Sequence, residues 1–235
     1  MHARLIDIAS NRNRHGLFAD RAEAGRVLAG LLAPELAGTK PLVVLAIPSG
    51  GVPVGLEVSR ALAAPLDLLI VRKLQIPGNP EAGFGAMGLT GRVFLNEPLV
   101  ARLRLRPEEI AAQKAVVAKE LAVRNAVFRH GQPPPDLAGS TALIVDDGLA
   151  SGFTMRAALA EARTLDAGSC VVAVPTASRA AIDSLAEEAE VIVCANVQEA
   201  GPFAVASAYR HWYDVSRQEV VALLTEAAQH GSEQP

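Results

Sequence analysis

Apolar residues fall in short continuous runs that end in small or polar residues: Leu42 to Ile47, Leu66 to Val71, Ala142 to Val145, Cys170 to Val174 and Val191 to Cys194. Continuous rather than alternating apolar character predicts strands covered on both faces, as in a parallel sheet. Between them the period changes to that of helices. Asp20 is placed to cap a helix through Ala33, with Ala24, Val27, Leu28 and Leu31 on one face. Pro107, followed by Glu108 and Glu109, predicts a helix to about Phe128, with Ile110, Val117, Leu121 and Phe128 at helical spacing. Thr154 to Leu165, Arg179 to Ala186 and Ser216 to Ala227 complete the helical set, and Pro53 is suited to begin a further helix. Alternation of strand and helix predicts an α/β fold: an open, mostly parallel twisted sheet with helices on both faces.

Two stretches break the alternation. Gln75 to Asn96 is Gly-rich and predicts a hairpin turning near Thr90 and Gly91. Gln132 to Gly139 reads as a stiff, extended linker. The expectation is one domain over 1–235, with a core at about 19–72 and 140–195, a flexible lid at about 73–97 and a C-terminal hood or helix at about 196–230.

Composition narrows the partners. The 235 residues are half hydrophobic but only 4% aromatic, so Ala, Val and Leu build the core. A net charge of −3 without a long basic run gives no electrostatic footprint for nucleic acid. No apolar run approaches the ~20 residues of a membrane span, and Met1 to Arg14 lacks an apolar signal core. Cys170 and Cys194 lie in strand-like runs with no CxxC pattern, which predicts reduced, buried thiols; the five His residues show no metal spacing. The expected setting is cytoplasmic.

Candidate chemistry concentrates in Ala142 to Met155. A buried strand delivers Asp146 and Asp147 to its carboxyl end, where open α/β sheets bind ligands. A loop rich in small residues, Gly148, Leu149, Ala150, Ser151 and Gly152, then opens a helix at Phe153 and Thr154, whose amides and dipole favour an anion. The carboxylates would repel a phosphate set directly against them, whereas vicinal ribose hydroxyls can donate to them. The segment therefore reads as a ribose-phosphate clamp, with an acidic helix-capping turn that binds no ligand as the alternative. It lacks both the GK[ST] of a P-loop and the GxGxxG of a dinucleotide site. Ile47 to Gly55 repeats the anion-cradle pattern on the first strand through Ser49, Gly50 and Gly51; a tight turn without ligand explains that loop equally well. Arg72 and Lys73 follow the second strand and can neutralise a leaving anion, or serve as a solvated pair. Tyr209, Trp212 and Tyr213 read either as a base-stacking hood or as a satellite core under the last helix.

Leu143 to Thr154 resembles the signature of the type I phosphoribosyltransferases, with Ser151 where that family often has Thr. Phe18 to Leu28, Ile47 to Gly55, Arg72 to Gly85 and Tyr209 to Val220 are similar to a bacterial group of phosphoribosyltransferase-like proteins whose substrate is not assigned. The resemblance implies binding of 5-phosphoribosyl 1-pyrophosphate (PRPP), with Asp146 and Asp147 on ribose and Gly148 to Thr154 on the 5′-phosphate. It places pyrophosphate on Ser49, Gly50, Gly51, Arg72 and Lys73. Asp146, Asp147 and Lys73 are the implied catalytic groups, with Mg²⁺ carried by the donor and met by Asp146 and Asp147. The segment holding Asn79 and Glu81 resembles the loop that closes over the reaction centre. Relatives often carry a basic residue at the place of Ser49, so a non-catalytic PRPP or nucleotide sensor stays open beside a transferase. A generic sugar-phosphate enzyme is the third reading. Relatives acting on 6-oxopurines usually have an Asp at the place of Ala150, which points the acceptor, a nitrogenous base or amine, away from hypoxanthine and guanine. A homodimer is the expected assembly.

Overall fold

The computed structural model describes residues 3–39 and 41–232. In chain order the elements are β1 (Arg4–Asp7), α1 (Arg21–Glu35), β2 (Leu42–Ala46), α2 (Gly51–Leu62), β3 (Leu66–Leu68), β4 (Val71–Ile76), β5 (Asn79–Gly88), β6 (Val93–Leu95), α3 (Glu97–Leu103), α4 (Pro107–Arg129), β7 (Thr141–Val145), α5 (Phe153–Thr164), β8 (Ser169–Ser178), α6 (Arg179–Leu185), β9 (Val191–Gln198) and α7 (Arg217–Ser232). Six strands form one sheet in the order β1-β9-β8-β7-β2-β3, and every pairing in it is parallel. A small antiparallel sheet, β4-β5-β6, stands beside it.

The continuous apolar runs are explained by their cover. Leu143, Val145, Val171 and Val193 pack with Leu28, Leu32 and Val54 of α1 and α2 on one face. Ala142, Ile144, Val172 and Cys194 pack with Met155, Ala158 and Leu159 of α5 on the other. Residues alternate between two equally dry faces, so the sequence reads as one unbroken apolar stretch. Asp20 caps α1 as expected, accepting from the Glu23 amide at 2.8 Å.

Several boundaries differ from expectation. Leu66 to Val71 is not one strand: β3 ends at Leu68 in the main sheet and β4 starts at Val71 in the small one. The buried pair Leu69 and Ile70 bridges the two sheets, so its apolar character marks burial rather than strand. β8 and β9 run on to Ser178 and Gln198, and the edge strand β1 extends the core beyond 19–72 and 140–195. β1 is too short and polar (RLID) to announce itself.

The 73–97 region is anchored at one end. The turn between β5 and β6, near Thr90 and Gly91 as expected, docks on α5. There the buried Glu161 accepts from Thr90 N at 2.7 Å and Thr90 Oγ1 at 2.5 Å. Its other turn, between β4 and β5, leaves Pro77, Gly78 and Asn79 exposed. Any closing movement of this hairpin therefore belongs to the Gly78 end.

Candidate functional site

Register builds the site. Val145 of β7 lies opposite Ala46 of β2, and the Ile47 amide donates to Val145 O at 2.9 Å. The loops leaving the two strands are thereby adjacent. From β2 the chain moves outward to β3; from β7 it moves outward to β8 on the opposite side. The crevice between these carboxyl ends is the topological switch point, the place where open α/β sheets bind ligands.

Close approach there depends on the absence of side chains. A Cβ on Gly51 would lie 2.7 Å from Val145 O and 3.0 Å from Asp146 Cα, and a Cβ on Gly50 would overlap the Asp147 carboxylate. The Pro48–Ser49 peptide in the same loop is cis. Gly50 is the N-cap of α2 and Gly152 that of α5, and neither helix has a side-chain cap. α1, α3 and α6, by contrast, are capped by Asp20, Asn96 and Ser178. The first amides of a helix lack intrahelical acceptors; in α2 those of Gly51 and Val52 donate to Ile47 O and Ser49 O of the preceding loop, and two partly positive ends without side-chain caps flank one acid pair.

Within the second loop the parts divide. Leu149 is buried; its amide donates to Thr176 O at 2.9 Å and its carbonyl accepts from Ser178 N at 3.0 Å. It ties the loop to β8, and its amide is not available to a ligand, a correction to its expected contact. Ala150 O accepts from Ser178 Oγ at 2.9 Å, while Ala150 and Ser151 are exposed. Gly152 has φ +76°, the left-handed turn that starts α5, with Ser184 packed beside it. Gly148 has no room for a side chain against Val205 and Thr176. Phe153 and Thr154 form the first turn of α5.

The acids are not equivalent. Arg21, the first residue of α1 and itself buried, donates from Nε to Asp147 Oδ2 at 2.9 Å and from Nη1 to Tyr213 O at 2.9 Å. Tyr209 donates its hydroxyl to Asp147 O at 2.5 Å. Among the described residues Asp146 makes no ion pair; its Oδ1 accepts from the Asp147 amide at 2.9 Å. Burial, then the adjoining Asp147 charge, hold the Asp146 carboxyl well above the usual carboxylate range. Burial raises Asp147 as well, with Arg21 opposing it. Both carboxyls are thus raised, Asp147 the less because Arg21 opposes its burial.

Arg21 is the residue that sequence reasoning missed. Its guanidinium lies 3.9 Å from the centroid of Trp212, with Tyr213 at 5.6 Å and Tyr209 at 5.8 Å. The chain brings these rings there by pairing residues 209–211 with the segment before α1: the Arg210 amide donates to Phe18 O and the His211 amide to Ala19 O, both at 2.8 Å. Tyr209 is buried in a small satellite cluster with Phe18, Ala24, Ala195 and Ala208, away from the last helix, whereas Trp212 and Tyr213 stay exposed; all three rings lie around Arg21. α7 packs instead against α2 and α4.

Arg72 and Lys73 are parted by strand alternation. Val71 packs with Met155 and Ala158 of α5, whereas Leu74 packs with Val117 and Leu121 of α4. Lys73 shares the face turned to α5, its stem lying over Gly83. Arg72 faces α4, where its Nε and Nη2 donate to Glu120 Oε2 at 3.0 and 2.9 Å. The expected cation pair does not form at the acid site. Glu81 lies outside the described residues as regards its side chain, and Asn79 accepts from the Ala82 amide at 3.3 Å. Cys170 and Cys194 are buried and free; burial raises their thiols to about 11 and about 12. Among the described residues no cluster of three or more His, Cys, Asp or Glu could hold a metal, and no helix is long and apolar enough to cross a membrane.

Known proteins share this arrangement's sequence and fold. The sequence model of the phosphoribosyl transferase domain matches residues 20–208, which include Arg21, both helix-opening loops and the acid pair. Proteins described as candidate phosphoribosyl transferases in two strains of Mycobacterium tuberculosis are 44% identical over 214 residues, covering 90% of this chain and 47% of theirs. The chain thus spans about half the length of these relatives. The crystal structure of TT1426 from Thermus thermophilus superposes with a TM-score of 0.75 at 37% identity, covering 89% of this chain and 98% of that one.

Proposed function

Because the chain belongs to the phosphoribosyl transferase domain family, we propose that it binds PRPP between the openings of α2 and α5 and transfers phosphoribosyl to a nitrogenous acceptor. The observation that carries this reading is the convergence of two helix starts without side-chain caps on one acid pair at the switch point. An anion at each helix end with a hydroxyl-bearing ring between them matches a donor that has phosphate on both sides of a ribose.

In this reading the first amides of α5, with Ser151 and Thr154, receive the 5′-phosphate, and pyrophosphate meets the loop at Ser49 and Gly50, since the Gly51 and Val52 amides donate to Ile47 O and Ser49 O. Asp146 and Asp147 accept from the ribose hydroxyls. The acceptor nitrogen attacks C1 as the bond from C1 to pyrophosphate oxygen breaks; pyrophosphate leaves with that electron pair, and the acceptor gives up a proton. Positive charge gathers on the ribose ring in between, and the nearby carboxylates stabilise it. Lys73 is assigned to the leaving group by the family resemblance, and Arg72 is held by Glu120 on the α4 side. The two carboxylates alone make no metal cage. They fit a Mg²⁺ held mainly by donor oxygens and water, with Asp146 as the protein's contribution, which would supply neutralisation of the leaving charge.

Pyrophosphate release in the presence of PRPP and Mg²⁺, followed across a panel of bases and amines, tests transfer. Release that depends on one acceptor is expected. Tight donor binding without release for any acceptor would instead select the sensor reading, which Ser49 in the pyrophosphate loop favours.

A further inference from the structure

Away from the acid pair, a second concentration of charge lies between β4, α4 and the start of α7. Arg72, Lys119, Arg124 and Arg217 line one crevice of about 350 Å³, faced by a single carboxylate, Glu120. Arg72 already uses that carboxylate through two of its nitrogens. Arg124 has no comparable partner. Among the described residues its Nη1 is buried without an acceptor, and its guanidinium lies 5.8 Å from the Phe128 ring. Burial, then Arg72 and Arg217, lower its pKa from the ordinary arginine value. A desolvated guanidinium with an unmet donor is costly, and like charges beside it add to that cost. An anion between them removes both penalties at once.

We propose that this crevice is a second binding site, for a small multiply charged phosphate-bearing anion of which pyrophosphate is the simplest case. Phosphate oxygens accept the forked donors of Arg124 and Arg217, and Lys119 adds charge at the rim. More than one negative charge is required, because four cations face one carboxylate. The site is distinct from the acid pair, since β4 turns Arg72 toward α4 and Lys73 toward α5. It is nevertheless joined to the 73–97 hairpin: an anion that draws Arg72 from Glu120 acts on the strand that carries Lys73.

The test is calorimetric titration of the full chain with inorganic pyrophosphate, comparing wild type with Arg124→Gln/Arg217→Gln. The double variant should bind one pyrophosphate fewer, or bind it at that site at least tenfold more weakly. Unchanged stoichiometry and affinity would overturn the proposal. Val123 lines the crevice and is 51% exposed, so Val123→Glu adds a carboxylate there without disturbing the core. It should cause the same loss, and full retention of binding in Val123→Glu would also overturn the site. Because the readout is the difference between wild type and variant, it holds whether or not pyrophosphate also binds at the acid pair.

Discussion

The guanidinium of Arg21 lies 3.9 Å from the ring centroid of Trp212 while its Nε donates to Asp147. The two contacts divide one side chain's work: the ring fixes the plane of the guanidinium, and the guanidinium fixes one carboxylate of the acid pair. Breaking a buried ion pair from one side leaves an uncompensated charge, so Arg21→Ala should cost about 3–5 kcal/mol. Arg21→Lys keeps the charge but loses the planar stack and should recover only part of it. Urea denaturation checks both, and a loss in Arg21→Ala comparable to an ordinary surface substitution would contradict the role.

Asp146 should make the protein's stability depend on pH in a particular direction. Its folded carboxyl is raised above its unfolded value, so the native state keeps a proton that the unfolded chain has already lost. That contribution is complete below the unfolded pKa and disappears as pH rises through the folded one. Asp146→Asn should therefore flatten the acid-side slope of Tm and raise Tm at neutral pH, by about 2–4 °C for each kcal/mol in a chain of this size. Thermal scans from pH 4 to pH 8 would show it; a neutral-pH Tm lowered by the substitution would refute the assignment.

How far could the sequence be read unaided? The sheet was legible because strands buried on both faces write continuous apolar runs. The acid pair was legible because it closes a continuous apolar run and precedes a loop that opens a helix. Arg21 was hidden, since its partners lie 126 and 192 residues away and its only local signal is a position after a helix cap. The parting of Arg72 from Lys73 follows from strand alternation, but only once β4 is known to begin at Val71 in a separate sheet. Leu149 looked like a loop residue because its tie to Thr176 is a backbone bond between distant segments.

Gly51→Ala would put a methyl group 2.7 Å from Val145 O, a backbone atom that cannot rotate away. It should destabilise by about 1–3 kcal/mol, as overpacking does, and force the two loops apart. Donor affinity should fall more than stability alone explains. A variant with wild-type Tm and wild-type donor affinity would argue against the close approach of these loops.

The anchored turn makes a separate prediction. Glu161→Ala and Thr90→Val each weaken the docking of the β5–β6 turn on α5. Loss of such bonds costs about 1–3 kcal/mol where a buried group is left unpaired. Hydrogen exchange across 86–95 should quicken in both, more in Glu161→Ala. Unaltered exchange would mean that the turn is held by other contacts.

The central claim is that Asp146, Asp147 and the openings of α2 and α5 grip PRPP. Calorimetric titration of the wild-type chain with PRPP and Mg²⁺, repeated on Asp146→Asn/Asp147→Asn, tests it most directly. The expected result is saturable, magnesium-dependent binding that weakens at least tenfold in the double variant. No binding by wild type, or equal affinity in the two proteins, would contradict the account.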